Sequence, residues 1–258
     1  MQKSINKIAL AGSGNVASHL AKGLFLQGFQ ITGIWSRDHD HAKELAGCCN
    51  SKTVSEISAL RDNADMILIA VPDTMIQEIA GLIGEFDGIT VHTAGSVPME
   101  VLKNNVGHYG VFYPLQTFSK DTTLALDKVP FLLEASSPEV MQVLRQVALK
   151  LSDKVYPAES QQRLLFHVAA VFAGNYSNLM YIIGNELLDN FNLPHDILHP
   201  LIMETARKAV AGDALKMQTG PARRNDNATI EKHIEALASF PEYAELYRIL
   251  ASHISRKF

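Results

Sequence analysis

Gly12-Ser13-Gly14-Asn15-Val16-Ala17 carries the most pointed chemistry in this sequence, because it follows the apolar run Lys7–Ala11 directly and opens a segment with helical spacing. In such a turn Gly12 permits the tight bend and Gly14 lets the backbone approach a pyrophosphate. Ala17 is small enough for the helix to lie close to the strand. The phosphates would rest on the free N–H groups and positive end of that helix. Glycine-rich turns also occur without ligands; here the strand–turn–helix context favours a dinucleotide. The second apolar run ends in Ser36-Arg37-Asp38. Where an acidic residue would hold the ribose hydroxyls of NAD, Ser36 and Arg37 suit a 2′-phosphate, which the guanidinium can pair with while stacking on adenine. Asp38 admits two readings, a ribose ligand and the N-cap of the next helix, and the cap preference of Asp favours the second. NADP is the expected cofactor, with Val71, Pro72 and Thr93 completing its site from later strand ends.

Groups able to move a proton or hold a substrate come next. His92, Ser96 and Gln116 follow or end predicted strands, where ligands gather in an open parallel sheet; each also fits a loop hydrogen bond or cap. On a long helical segment, His167 and Asn178 fall within roughly 20° of each other at about 100° per residue, with Asn175 about 80° away. A histidine on an apolar segment is commonly a satisfied core residue. Two nearby asparagines also allow a polar pocket in which His167 donates a proton and Asn175 positions the substrate. In Thr219-Gly220-Pro221-Ala222-Arg223-Arg224-Asn225-Asp226, Arg223 and Arg224 either grip a carboxylate or phosphate, or stay solvated beside a turn whose Asp226 or Asn227 caps a helix. No metal-ligand cluster stands out, and no metal is expected.

The elements that must position these groups fall into two parts. Lys7–Ala11, Gln30–Trp35, Met66–Val71, Ile89–Thr93, Gly110–Tyr113 and Pro130–Glu134 read as strands, short, apolar and barely alternating, as expected for strands covered on both faces. Asn15–Gln27, His39–Ala46, Thr74–Glu85 and Met99–Lys103 read as helices between them, and Ser136-Ser137-Pro138-Glu139 signals another helix start. This alternation predicts an α/β domain, a Rossmann-type doubly wound parallel sheet, over residues 1–156. Strand signals then vanish. Residues 157–258 read as an all-helical domain with helices over Glu159–Phe191, Asp196–Ala211, Thr229–Ser239 and Pro241–Ser255.

Composition narrows the class. The 258 residues are 47% hydrophobic and 19% charged, with 23 basic residues against 27 acidic ones; such a chain has ample core material and no general pull on nucleic acid or anionic membrane. Cys48 and Cys49 are adjacent and cannot clip distant segments together, so free thiols in a reducing compartment are expected. The first residues lack a sustained apolar run, and Leu164–Gly174 falls far short of the ~20 residues needed to cross a bilayer. A cytoplasmic protein with a small-molecule substrate is the expectation.

These motifs resemble known families. The Gly12–Ala17 turn, Ser36-Arg37, Ala64-Asp65 and Val71-Pro72-Asp73 resemble the NADP-binding domain of deazaflavin-dependent NADP reductases and pyrroline-5-carboxylate reductases. His92-Thr93-Ala94-Gly95-Ser96, Pro114-Leu115-Gln116-Thr117-Phe118, His167-Val168-Ala169-Ala170 and Thr219-Gly220-Pro221 resemble a more specific bacterial family of proposed NADP oxidoreductases, with a helical C-terminal domain of uncharacterised function. The likeness covers nearly the whole chain. It implies a C-terminal domain similar to that of 6-phosphogluconate-dehydrogenase-like enzymes and a homodimer built through its helices. In the related β-hydroxyacid dehydrogenases a lysine precedes an asparagine by four residues. If Asn175 matches that asparagine, the lysine position is Val171, and His167 stands one turn further back. The family's usual histidine before Pro-Leu-Gln is Tyr113 here. The expected activity is hydride transfer between NADPH and a small carbonyl or imine compound; the alternative, which Val171 supports, is a non-catalytic NADP-binding sensor or interaction protein.

Overall fold

The computed structural model describes residues 4–103, 107–119 and 125–258. Its contacts divide the chain into two compact units, Met1–Asn175 and Tyr176–Phe258. The first begins with strand β1 (Lys7–Ala11), helix α1 (Asn15–Leu26), β2 (Gln30–Trp35), α2 (His39–Cys48), β3 (Met66–Ile69), α3 (Ile76–Ile83), β4 (Ile89–His92) and β5 (His108–Pro114). It continues with β6 (Phe131–Ala135), α4 (Pro138–Leu151), β7 (Val155–Pro157) and α5 (Ser160–Ala170). One sheet runs in the order β2-β1-β3-β4-β5-β6-β7. The order reverses at β1, whose two neighbours are β2 and β3, and this switch point is where open α/β sheets bind ligands.

The strands are apolar throughout because both faces are covered. Ile8 and Leu10 of β1 and Met66 and Leu68 of β3 face one cluster with Leu20, Leu24, Leu144 and Val147 from α1 and α4. Their neighbours Ala9, Ala11, Ile67 and Ile69 face a second cluster with Ile76, Ile79 and Ile83 of α3. That division follows from the two-residue period of a strand. The Asp65 carboxylate accepts the backbone N–H groups of Asn6 (3.0 Å) and Lys7 (2.9 Å), satisfying the start of β1 from the adjoining β3 segment. Asp38 caps α2, accepting the His41 N–H at 3.0 Å.

Four expectations change. β6 pairs antiparallel with β5, so the sheet is mixed. β7 adds a seventh strand, parallel to β6, where strand signals were expected to end; at three residues it is too short to show a periodicity. Met99–Leu102 is a single 3₁₀ turn. The long helix is interrupted: a π-helical stretch, Val171–Tyr176, follows α5, and the units part within it at Asn175. The parting comes later than residue 156 because α5 is fastened to the sheet unit.

That fastening is polar. Arg163 of α5 is fully buried. Its Nη1 donates to Oε2 of Glu134 on β6, and its Nη2 donates to the Val97 carbonyl at 2.5 Å. Ser160 donates its backbone N–H (2.9 Å) and hydroxyl (2.8 Å) to the same carboxylate, and its Oγ accepts the Met99 N–H at 3.1 Å. The pair therefore joins α5, β6 and the loop after β4. Beside it His92, also fully buried, accepts the Ala94 N–H on Nδ1 at 3.2 Å, which places its proton on Nε2. Burial, and secondarily the Arg163 charge, lower its pKa to about 3; the Pro98 carbonyl opposes this without making a full hydrogen bond.

The second unit holds α6 (Ser177–Asp189), α7 (His199–Ala211), α8 (Ala214–Met217), α9 (Asn227–Ala236) and α10 (Pro241–Ser255). Ala222, Ile230, Ile234 and Ala251 form its small core. Asp226 caps α9 by accepting the Thr229 N–H at 3.1 Å. α6 and α7 bury none of their residues. Among the described residues no helix is long and apolar enough to cross a membrane. Both cysteines are free; burial, then Cys48, pushes the Cys49 thiol up to about 11.

Two outcomes follow. Glu134→Ala strands a buried guanidinium and should cost the sheet unit about 3–5 kcal/mol, read as an earlier urea midpoint, whereas Lys128→Ala, at the exposed pair with Asp153, should leave that midpoint in place. Between about 3 and the ordinary 6.5 the unfolded chain binds a proton at His92 that the folded one refuses. Stability is thus full above pH 6.5 and falls with acidification, by at most about 1.4 kcal/mol per pH unit for this group. Urea unfolding from pH 7 to 4 should show a shallower loss in His92→Gln, and an NMR midpoint near 6 for the His92 ring would contradict the assignment.

Candidate active site

A cleft of about 360 Å³ opens where β1, β3 and β4 end, and every expected cofactor residue except Ala17 lines it. Ala17 lies fully buried beneath, where its small side chain lets α1 pack on the sheet. Gly12 has φ +120° and donates its N–H to the Trp35 carbonyl at 2.7 Å. A Cβ there would sit 2.1 Å from the Ala70 carbonyl oxygen, so no other residue fits the turn. Gly14 differs: a Cβ built on it meets nothing within 4 Å, leaving the backbone open to a ligand. The first intrahelical bond of α1 runs from the Ser18 N–H to the Gly14 carbonyl (2.9 Å), and no side chain caps the helix or places a carboxylate in its first turn. A positive helix end, without a cap, facing an open glycine fits a pyrophosphate.

At the rim the Ser13 hydroxyl donates to Ser36 Oγ at 2.9 Å. Arg37 is exposed on the cleft wall. With Asp38 engaged as a cap, the polar groups offered to a ribose substituent here are a hydroxyl and a guanidinium, a donor set matching a 2′-phosphate. Asn15 turns its amide away, donating to the Phe118 carbonyl at 3.0 Å.

From this cleft the chain leads to a pair of rings. Thr93 and Ala94 line the cleft, and the next residue, Gly95, packs against both Tyr113 of β5 and His167 of α5. A Cβ on Gly95 would stand 2.8 Å from Tyr113 Cζ and 2.9 Å from His167 Cβ and Cγ. The Tyr113 hydroxyl lies 2.9 Å from His167 Nδ1, with the rings edge-on at 71°. Burial, and then the Asp73 charge, push the Tyr113 phenol up to about 12. The exposed Ser96 hydroxyl donates to that Asp73 carboxylate.

The other expected residues are placed less directly. His92 is buried and shapes the Ala94–Pro98 loop, so it does not itself face a substrate. Gln116 is exposed and accepts the Thr117 N–H at 2.8 Å. Asn175 is exposed within the π-helical stretch, whose Gly174 approaches Thr117. Asn178 belongs to the second unit, and the 100° count that linked it to His167 does not carry through π-helical turns. In that unit Arg223 and Arg224 are both exposed, and Arg223 donates to the Gln218 carbonyl at 2.8 Å and lies over the Phe258 ring. Sequence reasoning passed over Arg163, Glu134, Gly95 and Asp73. For Arg163 the signal was available: it lies four residues before His167 on one face of an apolar helix.

Comparison with known proteins accords with this geometry. The family model described as NADP oxidoreductase, coenzyme F420-dependent, matches residues 7–91, and that of a domain of unknown function, DUF2520, matches residues 129–254. No curated protein matches the chain. A candidate NADP oxidoreductase from Bacteroides fragilis shares 40% identity, covering 97% of this chain and 98% of its own, with a TM-score of 0.92. At the level of fold alone, 1-pyrroline-5-carboxylate reductase from Streptococcus pyogenes (15% identity, 98% and 99% covered, TM-score 0.65) is similar. So is a reductive aminase from Aspergillus terreus, solved with NADPH and ethyl levulinate (14% identity, 98% and 93% covered, TM-score 0.74). Near-complete coverage of both chains at 40% identity shows that this protein belongs to the NADP oxidoreductase family of the Bacteroides fragilis protein.

Proposed function

We propose that the protein reduces a small carbonyl or imine compound with NADPH bound in the cleft between α1 and the carboxyl ends of β1, β3 and β4. One observation carries the reading. The uncapped helix end at Gly14, the Ser36–Arg37 corner and Thr93–Ala94 line one cleft of the first unit, and Gly95, next in the chain, packs directly against His167. Bound there, NADPH would supply the hydride. The backbone from Gly12 to Ala17 would hold the pyrophosphate, Ser36 and Arg37 the 2′-phosphate, and Val71, Pro72 and Thr93 the remainder. His167 would give the proton, Asn175 would orient the substrate, and Ser96 and Gln116 would offer it hydrogen bonds.

We also propose that the chain works as a homodimer through its helical part. Leu201 and Met203 of α7 are about two-thirds exposed and Val210 is 90% exposed, while the unit's own core is only a few small or branched side chains. Helices that bury none of their residues while exposing large apolar side chains need a partner surface, and the resemblance to 6-phosphogluconate-dehydrogenase-like domains supports a second copy.

Fluorescence titration should show saturable NADPH binding that weakens about tenfold or more in Arg37→Ala, as expected for loss of a charge-assisted phosphate contact, with NADH little affected. Absence of saturable binding by either nucleotide would overturn the reading. NADPH binding without reduction of any carbonyl or imine compound would favour the non-catalytic sensor that Val171 suggests. Light scattering should give twice the chain mass, and Leu201→Glu should shift the protein to a monomer; a monomeric wild type would contradict the dimer.

A further inference from the structure

We propose that Tyr113 is a positioning residue for proton transfer: its hydroxyl holds Nδ1 of His167 in both protonation states of the imidazole, so that the proton always leaves through Nε2. The inference rests on the reductase reading for its chemistry, but its geometry stands in the protein without ligand.

Three features build the arrangement. The hydroxyl and Nδ1 are 2.9 Å apart. The two rings are both placed through β6, Tyr113 by its pairing opposite Leu132 in the β5–β6 ladder and His167 by the attachment of Arg163, one turn earlier on α5, to Glu134. Gly95 leaves the space between them, since any Cβ there would collide with both rings. No described residue offers a partner to Nε2, and the ring is half-buried.

A phenol suits this task because its oxygen accepts a hydrogen bond without carrying a charge. Burial and Asp73 keep it protonated, while Arg163 acts weakly the other way. Against neutral imidazole its oxygen accepts from Nδ1–H, which leaves the Nε2 lone pair bare. Against imidazolium its oxygen accepts the same Nδ1–H, and the second proton is on Nε2. With hydride supplied to the carbon of a C=O or C=N bond, the π electron pair moves to the heteroatom. That atom takes the Nε2 proton, imidazolium becomes the neutral Nδ1–H imidazole, and the phenol oxygen goes on accepting from Nδ1–H. Water then restores the Nε2 proton. Phenylalanine at this position would keep the shape and lose that hydrogen bond.

The test reads the nitrogens directly. In ¹⁵N-labelled protein, with His167 assigned by its loss in His167→Gln, the neutral ring should carry its proton on Nδ1 alone. In Tyr113→Phe, at unchanged thermal midpoint, the two tautomers should mix. Reduction of an accepted carbonyl or imine compound should fall about 10- to 100-fold with NADPH affinity retained. Identical nitrogen shifts in Tyr113→Phe, a wild-type proton on Nε2 in the neutral ring, or unaltered turnover would overturn the proposal. A fixed tautomer in a wild type that binds NADPH but reduces nothing would instead overturn the reductase reading, leaving the hydrogen bond in place.

Discussion

The buried pair of Arg163 and Glu134 is the constraint from which the candidate site follows. A guanidinium without solvent access is costly unless its charge and hydrogen bonds are met, and here the partners come from three segments: β6, the loop after β4, and the first turn of α5. Meeting them leaves α5 little freedom to slide. One turn further along, His167 is thereby delivered to Tyr113. The same guanidinium helps keep His92 neutral, and neutral His92 holds the turn that carries Thr93, Ala94 and Gly95. One ion pair thus helps to place both the turn at the edge of the cleft and the His167 ring.

The two halves of the site are built from different materials. The nucleotide cleft depends mainly on backbone: a turn only glycine can make at Gly12, an open approach at Gly14, and the unpaired N–H groups of α1. Such a site accepts the invariant part of a cofactor and says little about a substrate. The other half is made of side chains from β5 and α5, and Val171 stands where the resemblance to β-hydroxyacid dehydrogenases would put a lysine. Here an imidazole and a phenol are in hydrogen-bond contact, an arrangement that needs Gly95 to admit it.

Much of the first half was legible in the sequence because it is local. Gly12–Ala17, Ser36-Arg37 and the strands around them lie within short windows, and the cap at Asp38 follows from residue type alone. The mixed direction of β6 was not legible, because an apolar run carries no sign of whether its neighbour runs with it or against it. β7 was too short to register, and Val171–Tyr176 defeated a count that assumes regular α-helix. The second half was legible only as a list of polar residues. Tyr113 and His167 are 54 positions apart, and what brings them together is the distant pairing of Glu134 with Arg163, which no local pattern announces. His92 shows the reverse error: its position at a strand end suggested a substrate contact, and burial made it part of the frame.

The most direct test of the account is amide and imidazole chemical-shift mapping with two ligands, NADPH and 2′-phospho-ADP-ribose, which lacks the nicotinamide. Both should perturb Gly14, Ser36 and Arg37, and only NADPH should add shifts at Gly95, Tyr113 and His167. Perturbations that spare Gly12–Asn15, or NADPH shifts that leave His167 untouched, would contradict the claim that the cleft places a hydride donor beside the ring pair.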